Sequence, residues 1–257
     1  MSYKSLPINA PGRDGQSQLH RAAERGDVAE VQSLLEQGGD IFMTDGDAAR
    51  PRCLAVENGR SDVIGILDEW RGKLFSHFLT VVEKGDVSAA KVFSENTVLS
   101  STESPMLLTA SVKTCRQEEM VAFLLNTYRF PVVALDESAA HLRGNTPTAE
   151  PLDAQSQAIE CLLLSRILYD SIIEWKLPEL KSWTQRVPRF NIDQKWNGKT
   201  TLHLVAAYGR IKGVEKARIL IELGANTSAE NDDGLTAEQL AMCHGRDDVA
   251  AVLRGAR

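Results

Sequence analysis

Short apolar stretches recur along this chain, each spaced like one face of a helix and closed by a glycine. Near the N terminus the stretch runs from Ser17 to Gly26, and near the C terminus it runs from Thr200 to Gly209. A hydroxyl side chain suits the N-cap of a helix, and glycine suits the residue that ends it. The pattern therefore predicts the same short helix twice. A further apolar stripe at Ile219, Leu220 and Leu223 predicts a second helix packed beside the C-terminal copy.

The glycine spacing gives the length of the repeating unit. Gly26 and Gly59 are 33 positions apart, and Gly198 and Gly234 are 36 apart. The extra residues of the longer unit fall at 210–213, between its two helices, where a loop tolerates insertion. A period near 33 predicts an array of two-helix units joined by hairpins.

The C-terminal unit, residues 197–207 followed by 217–226, resembles the ankyrin repeat. The resemblance implies an all-α ankyrin-repeat solenoid of stacked helix-turn-helix units with a concave binding surface. It also implies that Thr200 caps the first helix and that His203, three residues later, links neighbouring repeats. Gly209 is expected in a left-handed conformation at the helix end.

The repeats divide the chain into four expected regions. Residues 1–12 form a flexible arm, 13–125 hold about four partly degenerate repeats, 126–192 are irregular, and 193–257 hold two repeats including a capping unit. Repeats of this kind stack without separate domains, because each unit contacts only its neighbours.

Two of the early units depart from the template. In the second, Arg52 and Cys53 stand where a Leu-His pair is usual. In the third, Gly85 follows Gly59 by only 26 positions, which predicts that the intervening hairpin is largely missing.

The central region fits the template poorly. Pro151 falls where a first helix would continue, and proline removes a helical hydrogen bond. Apolar positions over 153–176 predict one long helix or two helices with a tight turn, and Pro178 and Pro188 bracket a shorter helix. Two interpretations stay open: a drifted pair of repeats that still packs in the stack, or an insertion that shapes a docking surface.

Composition narrows the class of protein. The net charge of -6 and the pI near 5.5 argue against a nucleic-acid-binding protein. The most apolar stretch, 159–173, contains three charged residues and does not predict a membrane span. No secretion signal is recognisable, and the four cysteines lack paired spacing, which is typical of thiols in a reducing compartment. We expect a cytoplasmic protein that is monomeric when free.

No catalytic, cofactor-binding or metal-binding constellation is predicted. His20 and His203 hold the repeat's own histidine position, and His77 and His141 have no Cys or His at zinc-ligand spacing. Cys161 lies in an apolar helical stretch, as a small buried residue does. The glycines at 209 and 213 lack the spacing of a phosphate-binding loop.

Candidate partner-binding residues follow from matching the repeat motif at hairpin tips and at the ends of first helices. Trp196 is expected either as an exposed aromatic anchor or folded back against 178–190, and Tyr208 is a second aromatic candidate. The full set is Arg13, Gln16, Glu24, Arg25, Lys195, Trp196, Asn197, Lys199, Tyr208, Asp232 and Asp233.

The resemblance favours a non-enzymatic protein-binding module, an adaptor or scaffold that holds a protein partner. A dedicated inhibitor, immunity protein or secreted bacterial effector that binds one target is the alternative. An enzyme with a site in 126–192 is the third and least favoured class.

Overall fold

The protein is all-helical in the residues that its computed structural model describes. These are 7–97, 99–100, 103–115, 117–143, 153–172, 175, 177–186, 190–209 and 212–256, and within them the only β pairing is two isolated bridges. The predicted all-α class agrees with this. The chain forms two compact units, residues 1–110 and 111–257. This division separates the helix that ends at 110 from the helix at 118–127, which the sequence groups in one repeat. The four predicted regions of the chain stay predictions.

In its described residues, the N-terminal unit contains a short 3-10 helix, Pro7–Asn9, and six α-helices. These are α1 Gln18–Arg25, α2 Val28–Glu36, α3 Pro51–Glu57, α4 Ser61–Lys84, α5 Val87–Asn96 and α6 Glu103–Ala110. The Ser17 hydroxyl accepts from the His20 N–H to cap α1, and Gly26 ends it with a φ of 81°. Small residues Ala22 and Ala23 are fully buried, so neighbouring helices approach closely.

Helix α4 replaces two predicted helices. It runs without a break for 24 residues, through the region where two short helices and a hairpin would stand in a regular unit. Gly85 ends it with a φ of 73°. The predicted loss of this hairpin is confirmed, since the second helix of one unit continues directly into the first helix of the next.

The C-terminal unit begins with a π-helical turn, Ser111–Cys115, and contains eight α-helices in the part of it that the structure describes. These are α7 Glu118–Thr127, α8 Val132–Arg143, α9 Ala154–Ser171, α10 Leu177–Arg186, α11 Thr201–Tyr208, α12 Gly213–Glu222, α13 Ala237–Cys243 and α14 Asp247–Gly255. Residues of α9, α11, α12, α13 and α14 share one apolar core.

The apolar stretch of the central region forms one helix, α9, that is buried on nearly every side over 162–169. The shorter helix predicted after it is α10, although Pro178 lies inside its first turn rather than before it. Proline is tolerated there because the N–H groups of the first turn make no hydrogen bond within the helix. Pro151 and Pro188 lie outside the described residues.

The expectation of a left-handed Gly209 is wrong. Its φ is -67°, and a Cβ there would lie 2.6 Å from the carbonyl oxygen of Val205. Glycine is needed for close backbone approach, not for a positive φ. Over the described residues, no helix combines the length and the apolar character needed to cross a membrane.

Candidate partner-binding surface

The first tip of the C-terminal unit is a two-residue β-hairpin. Trp196 and Lys199 exchange two backbone hydrogen bonds of 2.9 and 3.1 Å, and Asn197 and Gly198 between them have φ values of 48° and 73°. Two consecutive positive φ values define the hairpin turn that Asn-Gly favours. Lys195 and Asn197 are exposed at this turn, and Lys199 is half-buried.

The next tip is built by a side chain. The Asn231 Oδ1 atom accepts from the N–H groups of Asp233 (3.0 Å) and Leu235 (2.9 Å), which closes the loop around Gly234. The Asp232 N–H donates to the Gly198 carbonyl at 3.2 Å, so the two tips are hydrogen-bonded side by side. Asp232 and Asp233 are exposed on this second tip.

His203 ties the helix below the first tip to the second tip. Its Nδ1 atom accepts from the Thr200 N–H at 3.3 Å, and its Nε2 atom lies 3.0 Å from the Leu235 carbonyl oxygen. An acceptor at Nδ1 and a carbonyl at Nε2 require the neutral ring with its proton on Nε2. Burial lowers the pKa of His203, and nearby Lys195 and Lys199 lower it further, against an opposing effect of the Leu235 carbonyl. The histidine thus makes the predicted contact to the neighbouring loop; that the two helix pairs are ankyrin repeats stays a prediction.

The N-terminal unit repeats the same construction. The His20 Nε2 atom lies 3.1 Å from the Ala49 carbonyl oxygen, and the Gly46 N–H donates to the Asp14 carbonyl at 3.1 Å. The Asp45 Oδ1 atom accepts from the N–H of Ala49 at 2.8 Å, as Asn231 does from Leu235. Two distant parts of the chain therefore each present adjacent tips joined by a backbone hydrogen bond, although the first N-terminal tip closes from the Gly12 N–H to the Gln16 carbonyl and is not a two-residue hairpin.

The candidate residues of the N-terminal unit lie at this surface. Arg13, Glu24 and Arg25 are exposed, and Gln16 is half-buried. Arg25 is paired with the carboxylate of Glu30 at the start of α2. Its guanidinium is thus partly engaged within the chain.

Trp196 is not an exposed anchor, and that expectation is wrong. Its side chain is 0 % exposed, because it packs against α9. The Tyr169 hydroxyl donates to the Trp196 carbonyl at 3.1 Å, and the Arg166 guanidinium lies 5.2 Å from the centre of the indole ring. The Asn197-Gly198 pair could have predicted this position. In a two-residue hairpin only those two residues form the turn, so Trp196 is the residue before the turn and pairs with Lys199.

Tyr208 is the aromatic side chain that does lie at the surface. It is 53 % exposed at the end of α11, and its ring meets the edge of His244 with the centroids 6.2 Å apart. His244, also exposed, follows the neighbouring helix α13. We call Tyr208 and His244 the Tyr208 patch; the sequence pointed to Tyr208, and His244 was missed.

The described residues contain no group of three or more His, Cys, Asp or Glu side chains placed to hold a metal ion. Cys53, Cys161 and Cys243 are free thiols, and Cys161 is half-buried in α9. The expectation that the chain binds no cofactor and performs no catalysis stays a prediction.

Comparison with known proteins finds matches to a short segment of the chain and no matching family model. A segment of 56 residues is 43% identical to "Potassium channel AKT1" of Oryza sativa subsp. indica and, equally, to the protein of that name from subsp. japonica. The match covers 22% of this chain and 6% of each channel, so it spans a small part of the curated relatives.

Proposed function

We propose that the protein is a non-enzymatic binding module of the ankyrin-repeat type that holds a protein partner. The observation that carries the proposal is the hydrogen-bonded pair of hairpin tips, joined from Asp232 N–H to the Gly198 carbonyl, with exposed side chains on both. Rigid turns cost little entropy when a partner binds, because their conformation is already fixed.

The side chains at the end of α11 support the same proposal. The Tyr208 patch offers an aromatic ring and an imidazole at the surface, and aromatic side chains are enriched in protein interfaces. Lys195 on one tip and Asp232 and Asp233 on the next give a polar rim of both charges. We propose that Lys195, Asn197, Tyr208, Asp232 and Asp233 form the main contact surface.

The free thiols bear on the cellular compartment of the protein, and its acidic net charge bears on the class of partner. Three unpaired cysteines support a reducing compartment, and we propose the cytoplasm. A net charge of -6 supports a protein rather than a nucleic acid as the partner.

Affinity capture with a matched pair of variants tests the proposal. The surface variant combines Lys195→Ala, Asn197→Gly and Tyr208→Ala; glycine keeps the positive φ of position 197 while removing its side chain. The control combines Val133→Ala, Glu137→Ala and His141→Ala, three exposed residues along one face of α8.

We expect the native chain and the control to retain the same protein, identified by mass spectrometry, and the surface variant to lose it. Equal retention by all three would contradict the proposal. A single partner held one to one would favour an inhibitor, whereas several partners in small amounts would favour a scaffold. Loss of an enzymatic activity in the α8 control alone would support the enzyme class instead.

A further inference from the structure

A cavity of about 560 Å³ opens in the N-terminal unit, between the end of α2, the loop that follows it, the middle of α4 and the end of α5. Its walls include the half-buried rings of Phe42, Trp70 and Phe93. Three of its lining residues can titrate: Glu36, Asp40 and His77. The lining residues include no lysine or arginine.

Asp40, one of the lining residues, has a buried side-chain oxygen without a hydrogen-bond partner among the described residues. The residue is 6 % exposed. Its N–H donates to Asn9 Oδ1 at 2.8 Å, and its Oδ1 atom accepts from the Phe42 N–H at 2.8 Å. Its Oδ2 atom is buried and has no hydrogen-bond partner among the described residues. A buried carboxylate oxygen without a donor is rare and calls for one.

The repeated loop contacts explain why this oxygen lacks a donor. In the C-terminal unit the Asp193 Oδ1 atom accepts from the N–H of Asn226 in the following loop, at 2.9 Å. Asn9 makes the same contact to Asp40. The loop that would come next and donate to Asp40 does not exist, because α4 is continuous there. The cavity thus lies beside a loop whose stacking neighbour is missing.

The surroundings of this oxygen favour a cation. Two carboxylates, Asp40 and Glu36, lie in a largely apolar lining that includes three aromatic rings, and the faces of aromatic rings attract cations. The Trp70 ring already attracts the exposed ammonium of Lys73, 5.7 Å from its centre. Arginine combines an apolar stem with a planar group that both stacks on rings and donates to carboxylates.

We propose that the cavity binds an arginine side chain from an extended segment of the partner protein, with the guanidinium donating to Asp40 Oδ2. The stem of the arginine lies between Trp70 and Phe93, and Glu36 adds negative charge at the end of α2. The proposal rests on the proposed function, since it names a side chain of a protein partner.

Titration of the intact chain with phenethylguanidinium, followed by ¹H–¹⁵N NMR, tests the site without the partner. We expect saturable shifts of the Ile41 and Phe42 amide signals and of the Trp70 indole signal. The neutral analogue 3-phenylpropanamide, which keeps the ring and lacks the charge, should bind at least tenfold more weakly.

The variant Asp40→Asn removes the charge and keeps the shape. We expect it to fold, because Asn226 makes the corresponding side-chain bond to the N–H two residues on, at 2.9 Å. It should bind phenethylguanidinium at least tenfold more weakly, whereas the exposed control Asp62→Asn should bind it as the native chain does. Equal binding by Asp40→Asn, or equal binding of the neutral analogue, would overturn the proposal.

Capture of the partner separates this proposal from the proposed function. Asp40→Asn should lower the affinity for the captured protein at least tenfold. Undiminished affinity would overturn the arginine site and leave the binding function standing. If no protein is captured while phenethylguanidinium binds through Asp40, the proposed function fails, and a cation site without a protein arginine is what remains.

Discussion

Helix ends are closed differently in two parts of the C-terminal unit. One part is the regular helix pairs α11–α12 and α13–α14, and the other is the irregular helices α7 and α9. In the regular pairs, α12 and α13 are each followed by a glycine with positive φ, Gly224 (φ 93°) and Gly245 (φ 66°). Helices α7 and α9 are instead followed by Tyr128 and Ile172. The last carbonyls of a helix need a donor in either case.

Buried cations supply that donor in the irregular part. The Arg166 guanidinium donates to the Leu125 carbonyl near the end of α7, and the Lys216 ammonium donates to the Ile172 carbonyl after α9 at 2.7 Å. Both cationic residues are nearly fully buried, and burial lowers the pKa of Lys216. A local glycine signal has thus been replaced by side chains from 41 and 44 positions away in the chain.

The largest expected effect concerns Trp196, which joins a regular hairpin to α9. Trp196→Ala should lower the free energy of unfolding by about 4 kcal/mol, because it empties a fully buried site. Trp196→Phe should cost less, since a ring remains and the indole Nε1 has no partner to lose among the described residues. Urea denaturation measures both, and a loss below about 1 kcal/mol for the alanine variant would contradict the burial of this ring.

Arg166 tests the cation-closed helix end. Arg166→Met should lower the free energy of unfolding by about 3 kcal/mol, because it leaves the Leu125 carbonyl and Asp170 without their donor. Arg254→Met removes an exposed arginine with a similar ion pair, 2.8 Å from Glu238, and should cost below about 0.5 kcal/mol. Equal losses in the two variants would mean that the buried cation does not close α7.

The pH dependence of the stability tests the role of His203 in the regular helix pairs. Its pKa in the folded protein is lowered, so below about pH 6.5 the unfolded chain takes up a proton that the folded chain resists. Stability should therefore fall as the pH drops from 7 to 5, and level off below the folded pKa.

The variant His203→Gln isolates this effect, since glutamine at the same helix position, Gln239 in α13, accepts the equivalent capping bond from the Thr236 N–H. Thermal unfolding across this pH range should show a smaller loss for the variant than for the native chain. An identical pH dependence would assign the loss to other groups, such as His20, whose pKa burial also lowers.

The repeated features could be predicted from sequence because they are local. Ser17, His20 and Gly26 lie within one helix and its caps, and a 26-residue glycine spacing sufficed to predict the loss of a hairpin. Cys53 stands where the repeat would have a histidine. That histidine would contact the next hairpin, and this contact is not needed at Cys53 because α4 runs through the place of that hairpin.

The rest depends on contacts between distant residues. Nothing near Arg166 in the sequence indicates that its partner is the Leu125 carbonyl, and the spacing of repeats does not indicate that Trp196 packs on α9. The unpartnered Asp40 oxygen also becomes visible only when the stacked loops are compared. The surface candidates outside Trp196 stay predictions, with their exposure now known.

Tyr208 gives the most direct test of the proposed binding surface, because it is a candidate aromatic residue whose side chain is exposed. Calorimetric titration of the captured partner should show at least tenfold weaker binding by Tyr208→Ala, about 1.4 kcal/mol, with the melting temperature nearly unchanged. Unchanged affinity in this variant, with the fold intact, would contradict the proposed binding surface.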